Sequence, residues 1–374
     1  MTVDPQSFGP PGAVVGTRYW HMLGDGRVQC DLCPRYCKLR EGQRGLCFVR
    51  ARLDDRIVLA TYGRSSGFCI DPIEKKPLNH FLPGTPVLSF GTAGCNLACR
   101  FCQNWDISKA REFDKLTDQA TPEQIARAAA TYGCPSVAFT YNDPVIFHEY
   151  AVDVAQACHA LGVRTVAVTA GYVCPEPRAE FYEHMDAANV DLKAFSEQFY
   201  KRVCAGHLQP VLETLQYLHD ETDVWLEITT LLIPELNDSN EEIDRLTSWV
   251  VNQLGADVPL HFTAFHPDFK MRDRAPTPPE TLSRAREIGL GNGLRYTYTG
   301  NVIDPVGQTT RCHQCGTVVI ARRWHTLERW GLDREGRCSA CGTTCAGVFD
   351  PAGPGSWDGR MLPVRLGDFS GPDQ

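Results

Sequence analysis

Three cysteines within eight residues constrain this chain more than any other feature of its sequence. Cys95, Cys99 and Cys102 (the motif cysteines) follow the pattern Cys-x3-Cys-x2-Cys, and the aromatic residue Phe101 stands directly before the last of them. The apolar run at 86–90 ends shortly before the first cysteine and predicts a β-strand. The motif cysteines are therefore expected on a tight loop that follows a strand.

This spacing favours an iron–sulfur cluster over other uses of cysteine. Three thiolates on one loop can hold three corners of a cubane cluster, and the fourth iron is then left without a protein ligand. Electron-transfer clusters ordinarily take four cysteines, so the vacancy indicates that a substrate binds the metal directly. The alternatives are a zinc knuckle or three unrelated buried thiols, but a zinc site normally draws four ligands from two separated pairs.

The overall composition is typical of a globular protein with metal sites. The chain has 374 residues, 43% hydrophobic and 22% charged, which suits one large catalytic domain with small appendages. Its net charge of −8 argues against non-specific nucleic-acid binding. Neither a signal-peptide pattern nor an apolar run long enough to cross a membrane is recognisable. The chain has seventeen cysteines, eleven of them in ligand-like groups, which predicts a cytoplasmic protein with metal sites rather than disulfides.

A second group of cysteines, Cys30, Cys33, Cys37 and Cys47 (the N-terminal thiols), lies within eighteen residues near the start of the chain. Proline and glycine stand between them, and the segment has no helical or strand periodicity. This pattern predicts a small loop wrapped around zinc or around a second iron–sulfur cluster. Free thiols that pack the loop are the alternative, because the last spacing fits no standard zinc pattern.

A third group, Cys312, Cys315, Cys338 and Cys341 (the ribbon cysteines), consists of two Cys-x2-Cys pairs separated by 22 residues. Short β-prone stretches lie beside them. The pattern is typical of a zinc ribbon, in which four thiolates supply folding energy to a domain too small for its own core. Rubredoxin-type iron is the rival metal, and unmetallated thiols are the remaining alternative.

Between the second and third groups, apolar strand patterns alternate with amphipathic helix patterns. This alternation predicts a parallel sheet with crossover helices, and about six βα units make an α/β partial TIM barrel. The predicted domains are an N-terminal cysteine-rich segment and lead-in at 1–84, the partial barrel at 85–303, a zinc-ribbon or rubredoxin-like domain at 304–350, and a tail at 351–374.

Polar residues stand where the predicted strands of the barrel end. Ligand-binding groups gather at the carboxyl ends of such strands, so these residues predict one shared site. They are Cys95, Asn142, Asp143, Asp191, Lys193, Asn237 and His266.

Several motifs together resemble the radical S-adenosylmethionine (SAM) superfamily, and within it the pyruvate formate-lyase activating-enzyme-like group. They are the cysteine loop at 94–105, the stretch 139–144, the Asp-Leu-Lys at 191–193 and the stretch 233–239. With the N-terminal cysteine block and the trailing cysteine pairs, the chain is most similar to the AmmeMemoRadiSam-system radical SAM enzymes. In this superfamily SAM chelates the open iron of a [4Fe–4S] cluster. An electron from the reduced cluster then cleaves SAM to methionine and a 5′-deoxyadenosyl radical, which abstracts hydrogen from a substrate.

The resemblance also implies roles for individual residues. The motif cysteines would hold the cluster, and Phe101 would lie near the adenine of SAM. Tyr141, Asn142 and Asp143 stand where the superfamily's Gly-Gly-Glu-Pro motif binds the SAM amino group, although the two glycines are replaced and Glu is shortened to Asp. Asp191 and Lys193 match the Asp-x-Lys motif of activating enzymes, where Asp helps bind a monovalent cation, and they are the candidate catalytic pair. Ile233 and His266 would line the adenine side.

Each of these residues also has a simpler interpretation. Asp191 and Lys193 can form an ordinary surface ion pair, and Asn142 with Asp143 can merely cap a helix. His266 precedes a proline and can be a structural turn residue.

We therefore expect a radical SAM enzyme whose substrate the sequence does not identify. The alternatives are glycyl-radical-type activation of a partner protein and a non-catalytic zinc or iron–sulfur adaptor. Expected partners are a reductant protein of the flavodoxin or ferredoxin type and, for an activase, a protein substrate. A membrane and non-specific nucleic acid are not expected partners.

Overall fold

A computed structural model describes residues 13–109, 116 and 118–366 of the chain. Its N-terminal part consists of short antiparallel strands, because Gly, Pro and Cys interrupt every apolar run. Six of these strands form two small sheets, in the orders β1-β6-β5 and β2-β3-β4. Cys30 ends β3, and the other N-terminal thiols lie in loops. The strands are β1 Val15–Gly16, β2 Trp20–Met22, β3 Val28–Cys30, β4 Lys38–Leu39, β5 Arg50–Leu53, β6 Arg56–Leu59, β7 Arg64–Ser65 and β8 Phe68–Pro72.

Seven parallel strands form the central sheet of the described chain, in the order β9-β11-β12-β13-β14-β15-β16. Their side chains are almost all buried, as expected for a parallel sheet covered on both faces. β8 extends the sheet antiparallel to β9, and β10 pairs with β7 outside it. The strands are β9 Pro86–Phe90, β10 Asp118–Gln119, β11 Ser136–Phe139, β12 Arg164–Thr169, β13 Ala187–Asp191, β14 Trp225–Leu232, β15 Leu260–Ala264 and β16 Thr297–Gly300.

Helices connect successive parallel strands. Thr121 and Gln124 form a reciprocal capping box at the start of α2, and Ser239 caps α7. α5 continues into a π-helix at Tyr200–Cys204, and 3-10 turns lie at Ile73–Lys75 and Pro144–Phe147. The helices are α1 Trp105–Ser108, α2 Pro122–Thr131, α3 His148–Ala160, α4 Pro175–Glu183, α5 Glu197–Phe199, α6 Gln209–Glu221, α7 Asn240–Leu254 and α8 Pro279–Gly291. The prediction of an α/β partial barrel is confirmed.

The C-terminal part adds a small three-stranded antiparallel sheet that carries the ribbon cysteines. Its strands are β17 Thr310–Arg311, β18 Val318–Arg323 and β19 Thr326–Trp330. A last strand, β20 Leu362–Val364, returns to the central sheet and pairs with β8. The segment predicted as a tail thus contributes an edge strand. This strand has only three residues, too few to be recognised from sequence periodicity.

The segment 77–84 closes the end of the barrel where its strands begin. The buried carboxylate of Glu227 accepts the backbone N–H groups of Asn79 and His80 at 2.9 and 2.7 Å. Asn189 donates its side-chain amide to the Pro77 carbonyl at 2.8 Å. Glu227 lies near the start of β14, and Asn189 lies near the start of β13. The interior of the barrel is therefore open toward the carboxyl ends of the strands. Of the helices described above, none has the length and apolar character needed to cross a membrane.

Candidate active site

The motif cysteines line a cavity of about 410 Å³ inside the barrel, at the carboxyl ends of the strands. Its volume lies within the range of about 300–1,000 Å³ that is usual for small-molecule sites. Nine residues singled out in the sequence line it together: Cys95, Cys99, Phe101, Cys102, Tyr141, Asn142, Asp143, Asp191 and Lys193.

The loop that carries the motif cysteines is fixed by contacts on both sides. Gly94 has φ +83°, and a Cβ there would lie 1.8 Å from the Cys47 carbonyl oxygen, so only glycine fits this position. On the other side, the N–H groups of Ala98 and Arg100 donate to carbonyls in the π-helix, at 2.8 and 2.9 Å. These contacts on both sides fix the conformation of the loop.

The motif cysteines are not gathered as tightly as the ligands of a single ion. Within the described residues, the ribbon cysteines are the one group of three or more potential metal ligands that lie within 4.8 Å of one another, so the motif cysteines are farther apart. Burial raises the pKa of Cys95 to about 12. A hydrogen bond with Cys204 lowers the pKa of Cys99 to about 7, and nearby Lys193 favours its thiolate as well. These sulfurs fit a [4Fe–4S] cluster with three protein ligands.

Asn142 holds the loop that leads into the motif. Its side-chain oxygen accepts the Thr92 N–H at 3.0 Å, and its amide donates to the Gly94 carbonyl at 2.9 Å. The side chain is buried, so these bonds are shielded from water. Its observed contacts are thus those of a positioning residue for the cysteine loop.

Asp143 lies buried beside Asn142 and has several hydrogen-bond donors. Its carboxylate caps the following 3-10 turn by accepting the Val145 N–H at 3.0 Å, and it also accepts the Ala170 N–H at 2.9 Å. Burial nevertheless raises its pKa to about 6. Tyr141 has φ +70°, a strained conformation for a non-glycine residue, and donates its hydroxyl to Asp71 at 2.8 Å.

Asp191 and Lys193 form an ion pair at the cavity wall. Burial lowers the pKa of Lys193, but Asp191 and Cys99 outweigh it and raise that pKa above its usual value. The Lys193 N–H donates to the Tyr200 hydroxyl at 3.0 Å, and Asn237 donates to the Lys193 carbonyl at 2.8 Å. The pair is therefore held by buried contacts, unlike an ordinary surface ion pair.

Three sequence-predicted residues lie outside this cavity: Asn237, Ile233 and His266. Asn237 is buried beside the Asp191–Lys193 pair and bonds to backbone groups. Ile233 is fully buried, and its N–H donates to Asn237 at 2.7 Å. His266 is exposed and lines an adjoining cavity of about 400 Å³. Gln103 and Asn301 line both cavities, so His266 stands at the edge of the same region.

Lys75 and Lys76 also line the main cavity, and the sequence analysis did not predict them. Both bind the buried carboxylate of Asp71, with Lys75 Nζ at 2.9 Å from it. Two cations around one carboxylate leave a net positive charge, which suits an anionic group of a bound molecule. In the sequence, the two lysines stand out only as a Lys-Lys pair in a polar segment flanked by prolines. Their position at the cavity depends on contacts with residues that are distant in sequence.

Comparisons with known proteins agree with this site. A family model described as the radical SAM superfamily matches residues 90–247. The uncharacterized protein MJ0808 of Methanocaldococcus jannaschii is 39% identical over 325 residues, which cover 87% of this chain and 96% of that protein. The chain belongs to the radical SAM superfamily. It is therefore an enzyme rather than an adaptor, and the superfamily implies a [4Fe–4S] cluster and SAM.

More distant relatives carry names of activating enzymes. The pyruvate formate-lyase-activating enzyme of Clostridium pasteurianum is 24% identical over 196 residues, covering 48% of this chain and 80% of that enzyme. The 4-hydroxyphenylacetate decarboxylase activating enzyme of Clostridioides difficile is 23% identical over 288 residues, covering 72% of this chain and 89% of that enzyme. A solved domain of a Bacteroides vulgatus pyruvate-formate lyase-activating enzyme aligns with TM-score 0.39 and 18% identity, over 44% of this chain and 98% of that domain. The predicted superfamily is confirmed.

Proposed function

We propose that this radical SAM enzyme cleaves SAM reductively and uses the resulting radical to abstract hydrogen from a substrate bound at the barrel mouth. The observation that carries the proposal is the convergence of the three motif cysteines, Asp143 and the Asp191–Lys193 pair on one cavity. When bound, the cluster with SAM supplies the electron and the 5′-deoxyadenosyl radical.

The chain's own residues bind the cluster, offer a ligand to a cation and offset negative charge. Cys95, Cys99 and Cys102 are the cluster ligands, and Lys193 offsets the negative charge that Cys99 contributes. Asp191 offers carboxylate oxygen to a monovalent cation, the ligand type that such cations prefer. The segment 77–84 covers the end of the barrel where its strands begin. The lysines at 75 and 76 favour an anionic substrate group.

The test is performed on protein reconstituted with iron and sulfide without oxygen. On addition of SAM and dithionite we expect 5′-deoxyadenosine, and Cys99→Ala should abolish its formation. Cys134→Ala is the matched control, because Cys134 is a buried thiol outside the three cysteine groups. If iron-loaded wild-type protein leaves SAM intact, the proposal is wrong.

Glycyl-radical-type activation of a partner protein is the second candidate. The names of the distant relatives favour it. So do two exposed apolar side chains just after Asn301 at the cavity, Ile303 at 80% and Val306 at 62% exposure. Apolar side chains mark a surface that contacts another protein when they form one continuous patch. A flavodoxin- or ferredoxin-type protein would be the electron donor.

Deuterium transfer distinguishes the two candidates. The enzyme is supplied with SAM, reductant and extract from cells grown on α-deuterated glycine, separated into protein and small-molecule fractions. An activase should place deuterium in 5′-deoxyadenosine only when the protein fraction is present. Deuterium transfer from the small-molecule fraction alone would exclude the activase.

We also propose that the ribbon cysteines hold zinc. Cys312 and Cys341 have sulfurs 3.6 Å apart, and those of Cys315 and Cys338 lie 3.8 Å apart. Tetrahedral zinc with bonds of about 2.3 Å requires thiolate spacings of about 3.8 Å. Elemental analysis of protein that has never been exposed to added iron should find about one zinc per chain. Iron in that site would favour the rubredoxin alternative.

A further inference from the structure

The N-terminal thiols surround one small cavity. All four line it, and its volume is about 20 Å³. Four sulfurs around a zinc ion, each about 2.3 Å from the metal, leave no such space between them. The cavity is therefore too wide for a single tetrahedral ion.

The spacing of the N-terminal thiols also differs from that of the ribbon cysteines. The ribbon cysteines all lie within 4.8 Å of one another, whereas no three of the N-terminal thiols do so. The N-terminal thiols share this wider spacing with the motif cysteines. A [4Fe–4S] cluster needs such spacing, because the cysteine sulfurs that bind its irons are about 6 Å apart.

The surroundings of the cavity supply hydrogen-bond donors and positive charge. Backbone N–H groups of Leu32 and Arg35 donate to the sulfurs of Cys30 and Cys33. The guanidinium of Arg35 lines the cavity, and in the described structure its buried Nη2 has no hydrogen-bond acceptor. Such an unpaired donor is costly unless a ligand accepts from it, and cluster sulfides are acceptors.

Arg50 provides a second cation at the same cavity. Its side chain is 1% exposed and forms an ion pair with the buried Glu149. It also interacts electrostatically with Cys30 and Cys47. A cluster with four thiolate ligands carries a net negative charge, which buried cations offset.

We propose that Cys30, Cys33, Cys37 and Cys47 hold a second [4Fe–4S] cluster. Four cysteines saturate its irons, so this cluster does not bind SAM and serves electron transfer. It exchanges single electrons with the catalytic cluster, and one cluster gains the electron that the other loses.

The two cysteine groups are neighbours in space, which suits this exchange. The Cys47 carbonyl is in direct contact with Gly94, the residue before the first motif cysteine. Arg35 donates to the Asn96 carbonyl at 2.7 Å, and Asn96 lines the N-terminal cavity while its neighbours Cys95 and Leu97 line the catalytic one. One stretch of backbone thus separates the two sites.

Iron and sulfide content of anaerobically reconstituted full-length protein tests the proposal. Wild type should contain about eight irons per chain, and the double variant Cys33→Ala/Cys37→Ala about four. Cys134→Ala is the control and should equal wild type. About four irons in wild type, together with a second zinc, would overturn the proposal.

A complementary variant keeps the test valid if the double variant does not fold. Cys95→Ala, Cys99→Ala and Cys102→Ala are combined, which leaves the N-terminal thiols intact. After reduction this protein should retain about four irons and an electron paramagnetic resonance signal that SAM does not change. Loss of all iron from this variant would contradict the second cluster. The result does not depend on SAM cleavage, so it is separate from the proposed function.

Discussion

Asn142 and Glu227 show how single buried polar residues organise this barrel. Both side chains are buried, and each forms hydrogen bonds with backbone groups of a segment that is distant in sequence. Asn142 fixes the cysteine loop, whereas Glu227 fixes the segment that closes the opposite end. Because buried backbone groups without partners are costly, each residue determines the conformation of a loop it does not belong to.

At Asn142 we predict that Asn142→Ala weakens the catalytic site without unfolding the protein. The substitution leaves the Thr92 N–H and the Gly94 carbonyl without their partner, at a cost of about 1–3 kcal/mol. Asn142→Asp should be no better, because a carboxylate cannot donate to that carbonyl. Iron content after reconstitution and the rate of 5′-deoxyadenosine formation should both fall.

Asn301→Ala is the control for this prediction. Asn301 lines the same cavity, but its amide donates to the Ala264 carbonyl at 3.1 Å, away from the cysteine loop. Its iron content should equal that of wild type. If Asn142→Ala also keeps full iron content and activity, the loop does not depend on Asn142.

Among the elements, the segment 77–84 links the barrel to the small C-terminal sheet. His80 lies at its centre, fully buried, and donates to the Ala346 carbonyl at 2.6 Å while it contacts the Tyr298 hydroxyl. Burial lowers the pKa of His80 to about 4. The folded protein therefore keeps this histidine neutral at pH values where the unfolded chain protonates it.

This difference predicts an acid-sensitive contribution to stability. Between the unfolded pKa of about 6.5 and the folded value, the unfolded chain binds a proton that the folded chain does not, so stability falls as the pH falls. From pH 7.5 to 5.5 the free energy of unfolding should drop by about 1 kcal/mol more in wild type than in His80→Gln. Denaturant unfolding of both proteins at the two pH values measures it. Equal losses in the two proteins would show that His80 is protonated in the folded state.

The elements predicted correctly from sequence are those whose pattern is local. Runs such as 136–139 and 165–169 are apolar and lie between helical segments, so strand, helix and parallel topology follow from spacing alone. The segment 77–84 and β20 have no such pattern, because their places depend on contacts with Glu227 and β8, which are distant in sequence.

The candidate site was predictable to the extent that it follows strand ends. Cys95, Asn142 and Asp191 could be assigned to one cavity because parallel strands end at the same edge. The positioning contacts of Asn142 and the cationic lining from Lys75 and Lys76 were not predictable, since both depend on how loops fold back.

Across the whole molecule, the C-terminal sheet and the barrel share one buried interface. Arg322 of β18 is 2% exposed and donates to the Asn79 carbonyl of the closing segment. Leu82 donates its N–H to the Val348 carbonyl at 2.8 Å. The ribbon cysteines should therefore stabilise the closed end of the barrel as well as their own sheet.

We predict that the double variant Cys338→Ser/Cys341→Ser loses the ribbon metal and destabilises both the C-terminal sheet and the segment 77–84. A small metal domain has too little core to fold without its metal. When its sheet unfolds, the contacts of Arg322 and Val348 are lost, so the segment 77–84 loses its cover. Hydrogen–deuterium exchange should therefore rise at 77–84 as well as at 310–345, and the melting temperature should fall by several degrees.

Ser339→Ala is the matched control, because Ser339 is exposed and lies between the two substituted cysteines. Its exchange should equal that of wild type in both regions. If the cysteine variant exchanges faster at 310–345 but not at 77–84, the closing segment is stable without the ribbon, and the barrel folds independently of it. If both regions change together, the metal of the ribbon supports the end of the barrel that lies opposite the catalytic cavity.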